Sequence, residues 1–538
     1  MDSFSLPKDE LFVHQDEEKI WQKYCGFLDL SLDEFMTIQE ILLKEQLDLL
    51  VNFELGRKIL GGQKPGGIEE FRKNVPFTTY QEYAPYFNGK DETVLLSKPV
   101  IWAQTTSGET GVLKMVPYTV EALSKLAENI IAALILSSAT RKGEVHVRNG
   151  IKVVLNLPPV PYISGIMSFA ASHLFDYEAI PPLAESAKMQ FEERIKESFK
   201  IALSSGIDYA CSLAAVLVKV GESFGQMGEK RKLSLPSKHP KAVLRLLKAV
   251  IRSRLIKKPV LPKDLWKVKG LVCGGADSSI YRDAIHYYWG VPPLDVYVNT
   301  ETCFIAMQGW NKKGMTFVPY TNFYEFIPED EWLKSRADKR YRPATVLLDE
   351  VKPGAIYEIV VTNFNGGPFV RYRIGDLIKI IALKDEETGV NLPQMVYQSR
   401  ADELIDIAGF ARLDEKTIWQ AIQSVAIPYV DWTARKEYRQ GKPVLHIYLE
   451  LSDNRQCRQD EMERLIEQQL VALDTNYRDF RNMTGAEPLL VTLLSKGAFR
   501  NYLENRRAEG HNIARLKPSH INASEEVIKD LLLSNQGS

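Results

Sequence analysis

From Ile151 onward the chain alternates short apolar strands with amphipathic helices, and this alternation limits the available folds more than any other feature. Val153-Val154-Leu155-Asn156-Leu157 reads as a strand and Phe191 to Leu203 as a helix. Leu271-Val272-Cys273 reads as a buried strand running into Gly274-Gly275. Such a series predicts an α/β sheet with helices on its faces. Upstream, Phe35, Ile38, Ile41, Leu42, Gln46 and Leu49 recur at three- and four-residue spacings, which predicts a helix whose apolar stripe Gln46 interrupts. Between Gly354 and Leu383 the pattern shortens to β segments at Tyr357–Val361, Phe369–Tyr372 and Leu377–Ile381. After Arg400 it starts again, with a helix at Glu415–Ala426, a strand at Val444–Leu449 and an amphipathic helix at Glu461–Leu473. The expected division is therefore 1–399 and 400–538.

Length and charge fit this plan. A chain of 538 residues has room for two or three domains, and 68 Lys and Arg against 69 Asp and Glu leave no global field to recruit nucleic acid or an acidic membrane. Five scattered cysteines without a C-x-x-C pair argue against a disulfide framework or a thiolate zinc site. The first twenty residues carry acids where a signal peptide needs a cationic start, and the apolar run Ile130–Leu136 is too short to span a bilayer. These features predict a reduced, cytoplasmic protein with neither membrane nor nucleic-acid partner. One stretch, Lys230 to Lys269, is locally basic. It reads either as a polyanion-binding patch or as the solvated face of a helix that buries Val243, Leu244, Leu247, Val250 and Ile251. The second reading is preferred, because Trp266 is the only large aromatic there.

Three segments can carry chemistry. Gln104-Thr-Thr-Ser-Gly-Glu-Thr-Gly-Val-Leu-Lys114 packs hydroxyls and glycines ahead of a lysine, as suits a loop that wraps phosphate oxygens. Its spacing is not that of a Walker A loop, and its apolar flanks make it a hairpin loop or an ordinary polar turn. Val296-Tyr297-Val298-Asn299-Thr300-Glu301 ends an apolar strand with a tyrosine and a carboxylate, able to stack a base and hold a hard divalent cation, or simply a strand end. Arg371-Tyr372-Arg373-Ile374-Gly375-Asp376 offers an aspartate for ribose hydroxyls and arginines for phosphate, or for each other.

Together with Gly274-Gly275-Ala276 and with Arg400-Ala-Asp402 followed by Gly409, these segments resemble the signatures of the adenylate-forming acyl-activating ligases. Within that superfamily the chain resembles the Gretchen Hagen (auxin-responsive promoter) family of acyl acid amido synthetases. The supporting residues are Lys114-Met-Val-Pro-Tyr-Thr119, Phe317-Val-Pro319 leading to Tyr324-Glu-Phe-Ile-Pro328, Tyr357–Thr362 leading into Arg371–Asp376, and Gly497-Ala-Phe499 followed by Leu516-Lys-Pro518. Three positions depart from the family pattern. Glu109 stands where threonine is usual, Asn299 where glycine or serine is common, and Gly409-Phe-Ala-Arg412 shifts an arginine by one, so Arg412 receives no role.

The resemblance implies a fold and a reaction. The expected fold is α/β: a large N-terminal adenylating domain with mixed and parallel sheets, helices and a small β-barrel-like part, and a smaller mobile α+β C-terminal domain. The implied cofactors are ATP and Mg²⁺. A carboxylic acid becomes acyl-AMP with release of pyrophosphate, and an amine, usually an amino acid, then takes the acyl group as an amide. Lys114, Glu301 and Lys517 are the implied catalytic residues, with Glu301 on Mg²⁺. Thr106, Ser107, Gly108, Thr110, Gly111, Gly275, Ala276, Tyr297, Asn299, Thr300, Tyr324, Asp376 and Arg373 are implied to surround the nucleotide, Arg373 supporting either phosphates or nearby structure. Asp402 is the implied hinge. Two other readings stay open at this point: an acyl-CoA ligase, in which a thiol replaces the amine, and a nucleotide binder without turnover. The helix Glu121–Ser138 reads as core or as the wall of an acyl pocket.

Overall fold

The computed structural model describes residues 6–105, 114–189, 191–230, 240–256, 258–274, 278–338, 340–401, 404–407, 411–439, 442–452, 458–475, 477–478, 481, 488–508 and 518–533. The chain forms two compact units, Met1–Ile374 with Ile378–Tyr397, and Gly375–Leu377 with Gln398–Ser538.

The first unit holds the hairpin β1 (Ile101–Gln104) and β2 (Met115–Tyr118) and most of a long mixed sheet. The sheet's strands are β3 (Ile151–Asn156), β4 (Tyr177–Ile180), β5 (Tyr209–Leu213), β6 (Gly270–Gly274), β7 (Pro293–Asn299), β8 (Cys303–Gln308), β9 (Met315–Phe317), β10 (Asn322–Pro328), β11 (Ile356–Asn363), β12 (Tyr372–Ala382) and β13 (Gln394–Arg400). Their order is β10-β11-β12-β13-β9-β8-β7-β6-β5-β3-β4. Strands β4, β3, β5, β6 and β7 run parallel. Helices α3 (Ile163–Leu174), α4 (Phe191–Ser205), α5 (Ala214–Lys230), α6 (Pro240–Ile256) and α7 (Ser278–Trp289) lie between them in sequence, as parallel crossovers require. From β7 to β8 the sheet turns antiparallel. The β segments after Gly354 belong to this same sheet, as β11, β12 and β13. Phe369–Arg371 lies outside the strands, and β12 begins only at Tyr372.

Two earlier helices fix the site's base. Helix α1 (Leu32–Leu50) starts at a capping box in which Ser31 Oγ accepts from Glu34 N–H and Glu34 Oε2 accepts from Ser31 N–H. Gln46 breaks the stripe in sequence yet is buried, because its amide donates to Gly367 O and accepts from Gly366 N–H. Helix α2 (Val120–Ser138) is capped by Thr119 and buried at every residue from Ile130 to Ser138. It is hydrophobic all round there, as an internal helix must be. Each of its fully buried Ile and Leu side chains contributes roughly 1.5–3 kcal/mol. Glycine is required at Gly270 on β6, since a Cβ there would lie 2.1 Å from Ser137 Oγ. Buried Lys312 donates to Ala139 O at the end of α2, and burial together with Arg282 lowers its ammonium to about 8.

The second unit has its own core. A two-stranded ladder, β14 (Ile405–Ile407) with β15 (Ala411–Leu413), precedes a sheet of β16 (Tyr429–Arg439), β17 (Lys442–Leu451) and β18 (Leu489–Leu494). Strands β16 and β17 are antiparallel, β17 and β18 parallel. Helices α8 (Glu415–Ser424) and α9 (Gln459–Leu473) bury Ile418, Ile422, Ile466 and Leu470 in a cluster with Trp432 and Ile447. Residues 519–522 are laced to β16: Ala434 N–H donates to His520 O, and Asn522 N–H to Ala434 O. The His520 ring stacks on Trp432 and meets Glu415 and Asp431 through its two nitrogens. Among the described residues no helix is long and apolar enough to cross a membrane.

Burial opposes the charge on His520, but the Asp431 and Glu415 carboxylates outweigh it and raise its pKa to about 9. A raised imidazolium pKa stabilises the fold fully below the unfolded value of about 6.5 and is lost as pH climbs through about 9. Thermal unfolding of the wild type is therefore expected to lose stability between those pH values. His520→Gln should be less stable at neutral pH and show a flatter profile across that window.

Candidate active site

The hairpin is closed where the phosphate-loop motif begins and ends. Thr105 N–H donates to Lys114 O at 3.0 Å, and Lys114 N–H returns to Thr105 Oγ1 at 3.1 Å. Thr106, Ser107, Gly108, Thr110 and Gly111 lie outside the described residues, as do Gly275, Ala276, Asp402 and Lys517. Lys114 immediately precedes β2. Its Nζ lies 3.1 Å from Glu301 Oε1 and 3.4 Å from the Tyr372 hydroxyl, which lies 3.3 Å from the same carboxylate oxygen. Three segments far apart in the chain thus meet in one triangle. The ring of Tyr80 flanks the ammonium at 5.4 Å, and the Tyr80 hydroxyl donates to Met115 O and accepts from Met115 N–H. Burial pushes the Tyr80 phenol up to about 12, so it stays neutral beside the pair.

Glu301 is held by the turn that follows β7. Opposite β8 the register shifts between Tyr297 and Val298, a bulge that re-aims the end of the strand. Asn299 Oδ1 then accepts from both the N–H and the hydroxyl of Thr302, each at 2.8 Å. This local loop explains an asparagine where the family commonly has a smaller residue. Tyr118 donates to Thr300 O and Asn363 to Glu301 O, so both flanks of the carboxylate are tied to the sheet. Cys303 closes the turn at φ 58°, a left-handed conformation uncommon for a residue with a side chain. Tyr297 is nearly buried and meets Tyr397 edge-on at 5.8 Å.

Other expected residues take different parts. Tyr324 does not offer itself to a nucleotide: it is buried on β10, with its hydroxyl between Val318 O and Ile305 O. Arg373 donates two hydrogen bonds to Glu358, at 2.8 and 2.5 Å. Arg371 is fully buried and grips Glu325 with two nitrogens, at 2.9 and 2.7 Å. Its remaining nitrogen donates to Arg72 O and Val75 O, and the guanidinium lies 4.1 Å above the Phe77 ring. Asp376 follows Gly375, whose φ of 80° favours glycine, on β12. Tyr80, Tyr118 and Asn363 carry no motif signal of their own, although Tyr118 sits in the tail Lys114–Thr119.

A separate apolar cavity of about 20 Å³, room for about one water molecule, lies between α2, α3 and β3. Ile130, Leu134, Val153, Leu155, Met167 and Ala171 line it. Part of α2 is therefore a cavity wall as well as core.

Comparison with known proteins decides the family. Models of the GH3 family N-terminal, central and C-terminal domains match residues 26–155, 315–400 and 415–526, together more than half of the chain. The chain belongs to the GH3 family. Among curated GH3 relatives, a jasmonoyl–L-amino acid synthetase of Oryza sativa subsp. japonica is 23% identical over 93% of this chain and 94% of its own length. An indole-3-acetic acid-amido synthetase of Arabidopsis thaliana is also 23% identical, over 95% and 94%. The solved acyl acid amido synthetase AtGH3.15 in complex with 2,4-DB superposes with a TM-score of 0.66 at 18% identity, covering 98% of this chain and 97% of that one. A 2-hydroxyisobutyryl-CoA ligase in the postadenylation state gives 0.62 at 12% identity, over 95% and 94%. The fold of this chain is thus shared with that CoA ligase as well as with the GH3 enzyme.

Removing one partner of the Arg371–Glu325 pair leaves a buried charge unmatched, at a cost of about 3–5 kcal/mol. Glu325→Gln is expected to lower the melting temperature by that equivalent, and Arg371→Met combined with Glu325→Gln to cost less than the two single changes added.

Proposed function

We propose that this GH3 chain is an acyl acid amido synthetase working through an acyl adenylate. A carboxylate oxygen of the acid bonds to the α-phosphorus of ATP as the bond to pyrophosphate breaks. The amine of an amino acid then bonds to the acyl carbon, the acyl carbon–oxygen bond breaks with its electron pair leaving on AMP, and the amine gives up a proton. The observation that carries this reading is the convergence of Lys114, Glu301 and Tyr372 at the closed base of the hairpin whose two strands flank the hydroxyl- and glycine-rich segment in sequence.

The chain's own residues would do the following. Lys114 leaves Glu301 for the phosphate oxygens, beside the loop residues Thr106, Ser107, Gly108, Thr110 and Gly111. Tyr372 keeps a hydroxyl against whichever of the two charges remains nearest. Tyr297, backed by Tyr397, takes the adenine face, with Gly275 and Ala276 on the same nucleotide, and Asp376 accepts the ribose hydroxyls. Asn299 and Thr300 serve by shaping the turn that aims Glu301. Arg373 and Tyr324 hold the scaffold. Lys517 supplies charge during adenylation, and Asp402 is the hinge about which the residues from 400 onward would move between half-reactions. Holding acid and nucleotide in line and neutralising charge at the α-phosphate are the main physical tasks.

Mg²⁺ fits the residues present. Among the described residues no group of three or more His, Cys, Asp or Glu could cage a metal, but Mg²⁺ is ordinarily bound through one or two carboxylates plus substrate phosphates. Glu301 is a hard oxygen donor held next to Lys114 and would hold the ion there, which when bound neutralises phosphate charge.

ATP–pyrophosphate exchange with pooled aryl, indolyl and aliphatic acids tests the reading, followed by amino acids and CoA as rival acceptors of the acyl group. Acid-dependent exchange with amide products is expected, and thioester as the sole product would overturn it. Lys114→Ala and Glu301→Gln should each slow exchange about a hundredfold or more with folding retained; near wild-type exchange in either removes that residue's role.

A further inference from the structure

The helix α6 reverses one expectation. Its buried side consists of Ala242, Leu246 and Ala249, with Val243 and Val250 half-buried. Leu244, Leu247 and Ile251, expected inside, are 55%, 46% and 57% exposed, and Leu255 is 79% exposed. At 3.6 residues per turn these four fall within about 80° of arc, a continuous aliphatic ridge roughly 16 Å long. Isolated exposed leucines need no explanation, but a row of four along one helix does.

Charge surrounds this ridge. Lys241, Lys248 and Arg252 are exposed along one flank and Arg254 along the other. Helix α6 contains no acid, and the carboxylate that approaches the flank, Asp264, is nearly buried and already accepts from Leu261 N–H. The remaining cation on the helix, Arg245, is turned inward to the carbonyls of Ala202 and Leu203. The solvent face therefore consists of aliphatic side chains bordered on both sides by ammonium and guanidinium groups.

We propose that the outer face of α6 docks on the surface of an anionic phospholipid bilayer. The aliphatic ridge enters the boundary between headgroups and acyl chains, and the flanking lysines and arginines reach up to lipid phosphates while their stems cover apolar surface. A second copy of the same face would set like charges against each other. A protein partner is less well matched, since the exposed face carries no aromatic anchor of the kind that dominates protein interfaces. Nucleic acid would use the cations and leave the leucines without a role. The attachment is peripheral and independent of the adenylation reading, and it revises the expectation of a chain without a membrane partner.

Sedimentation of the full chain with vesicles tests it. Vesicles of phosphatidylcholine with a third phosphatidylglycerol should carry the protein down at low salt, and pure phosphatidylcholine vesicles should not. Leu247→Ser with Ile251→Ser, and separately Lys241→Glu with Lys248→Glu, should each reduce the bound fraction about tenfold. All four positions are exposed, so the melting temperature and pyrophosphate exchange should be unchanged in both variants. Three results would overturn the proposal: wild-type protein left in the supernatant with anionic vesicles, full binding by the serine variant, or a concentration-dependent dimer that the serine variant abolishes.

Discussion

The salt bridge between Arg371 and Glu325 is the interaction on which the site depends. It is fully buried, so each ion is costly without the other. It also does more than tie the loop before β12 to β10. The guanidinium draws in the carbonyls of Arg72 and Val75 and covers Phe77, and Thr78 then pairs with Tyr372. Its backbone is held at φ 43°, which ends the loop and sets where β12 begins. One residue later Tyr372 reaches Glu301 and Lys114. The triangle is thus positioned from behind by a pair that itself touches no substrate.

Much of this was legible in the residues because the chemistry is concentrated in short motifs. A lysine after a glycine-rich hairpin and a lone glutamate after an apolar strand announce themselves, as does the Arg-Tyr-Arg-Ile-Gly-Asp run. Strand and helix alternation likewise gave the parallel half of the sheet. What could not be read was partnership. Arg371 and Arg373 look equivalent in sequence, yet both are occupied by glutamates, Glu325 on β10 and Glu358 on β11, 46 and 15 residues away. Tyr324 belongs to a recognisable motif, but its hydroxyl closes two backbone carbonyls within the core. Gln46 appeared as a flaw in a helix stripe, whereas its amide meets both groups of a backbone turn more than 300 residues downstream.

Helix α6 shows a different limit. Periodicity finds an apolar face but cannot distinguish inside from outside when leucine and valine occupy two sides of one helix. The small residues Ala242 and Ala249 decide the matter, because they permit the close approach to neighbouring helices that the larger leucines would prevent. The exposed ridge then becomes the informative observation, since a large contiguous apolar patch on a folded surface calls for an explanation.

The contact between Lys114 and Glu301 has one more consequence. In the structure the two charges satisfy each other, with Tyr372 between them, so the resting site is electrically closed. A stray anion would have to strip Lys114 from Glu301 and leave a carboxylate unmatched in a half-buried place, and a bare cation would strand the ammonium in the same way. Only a ligand that brings both signs together exchanges one complete pairing for another. Such a pairing would favour a phosphate that arrives with its cation over either one alone, with Lys114 swinging off Glu301 as the two signs are exchanged together.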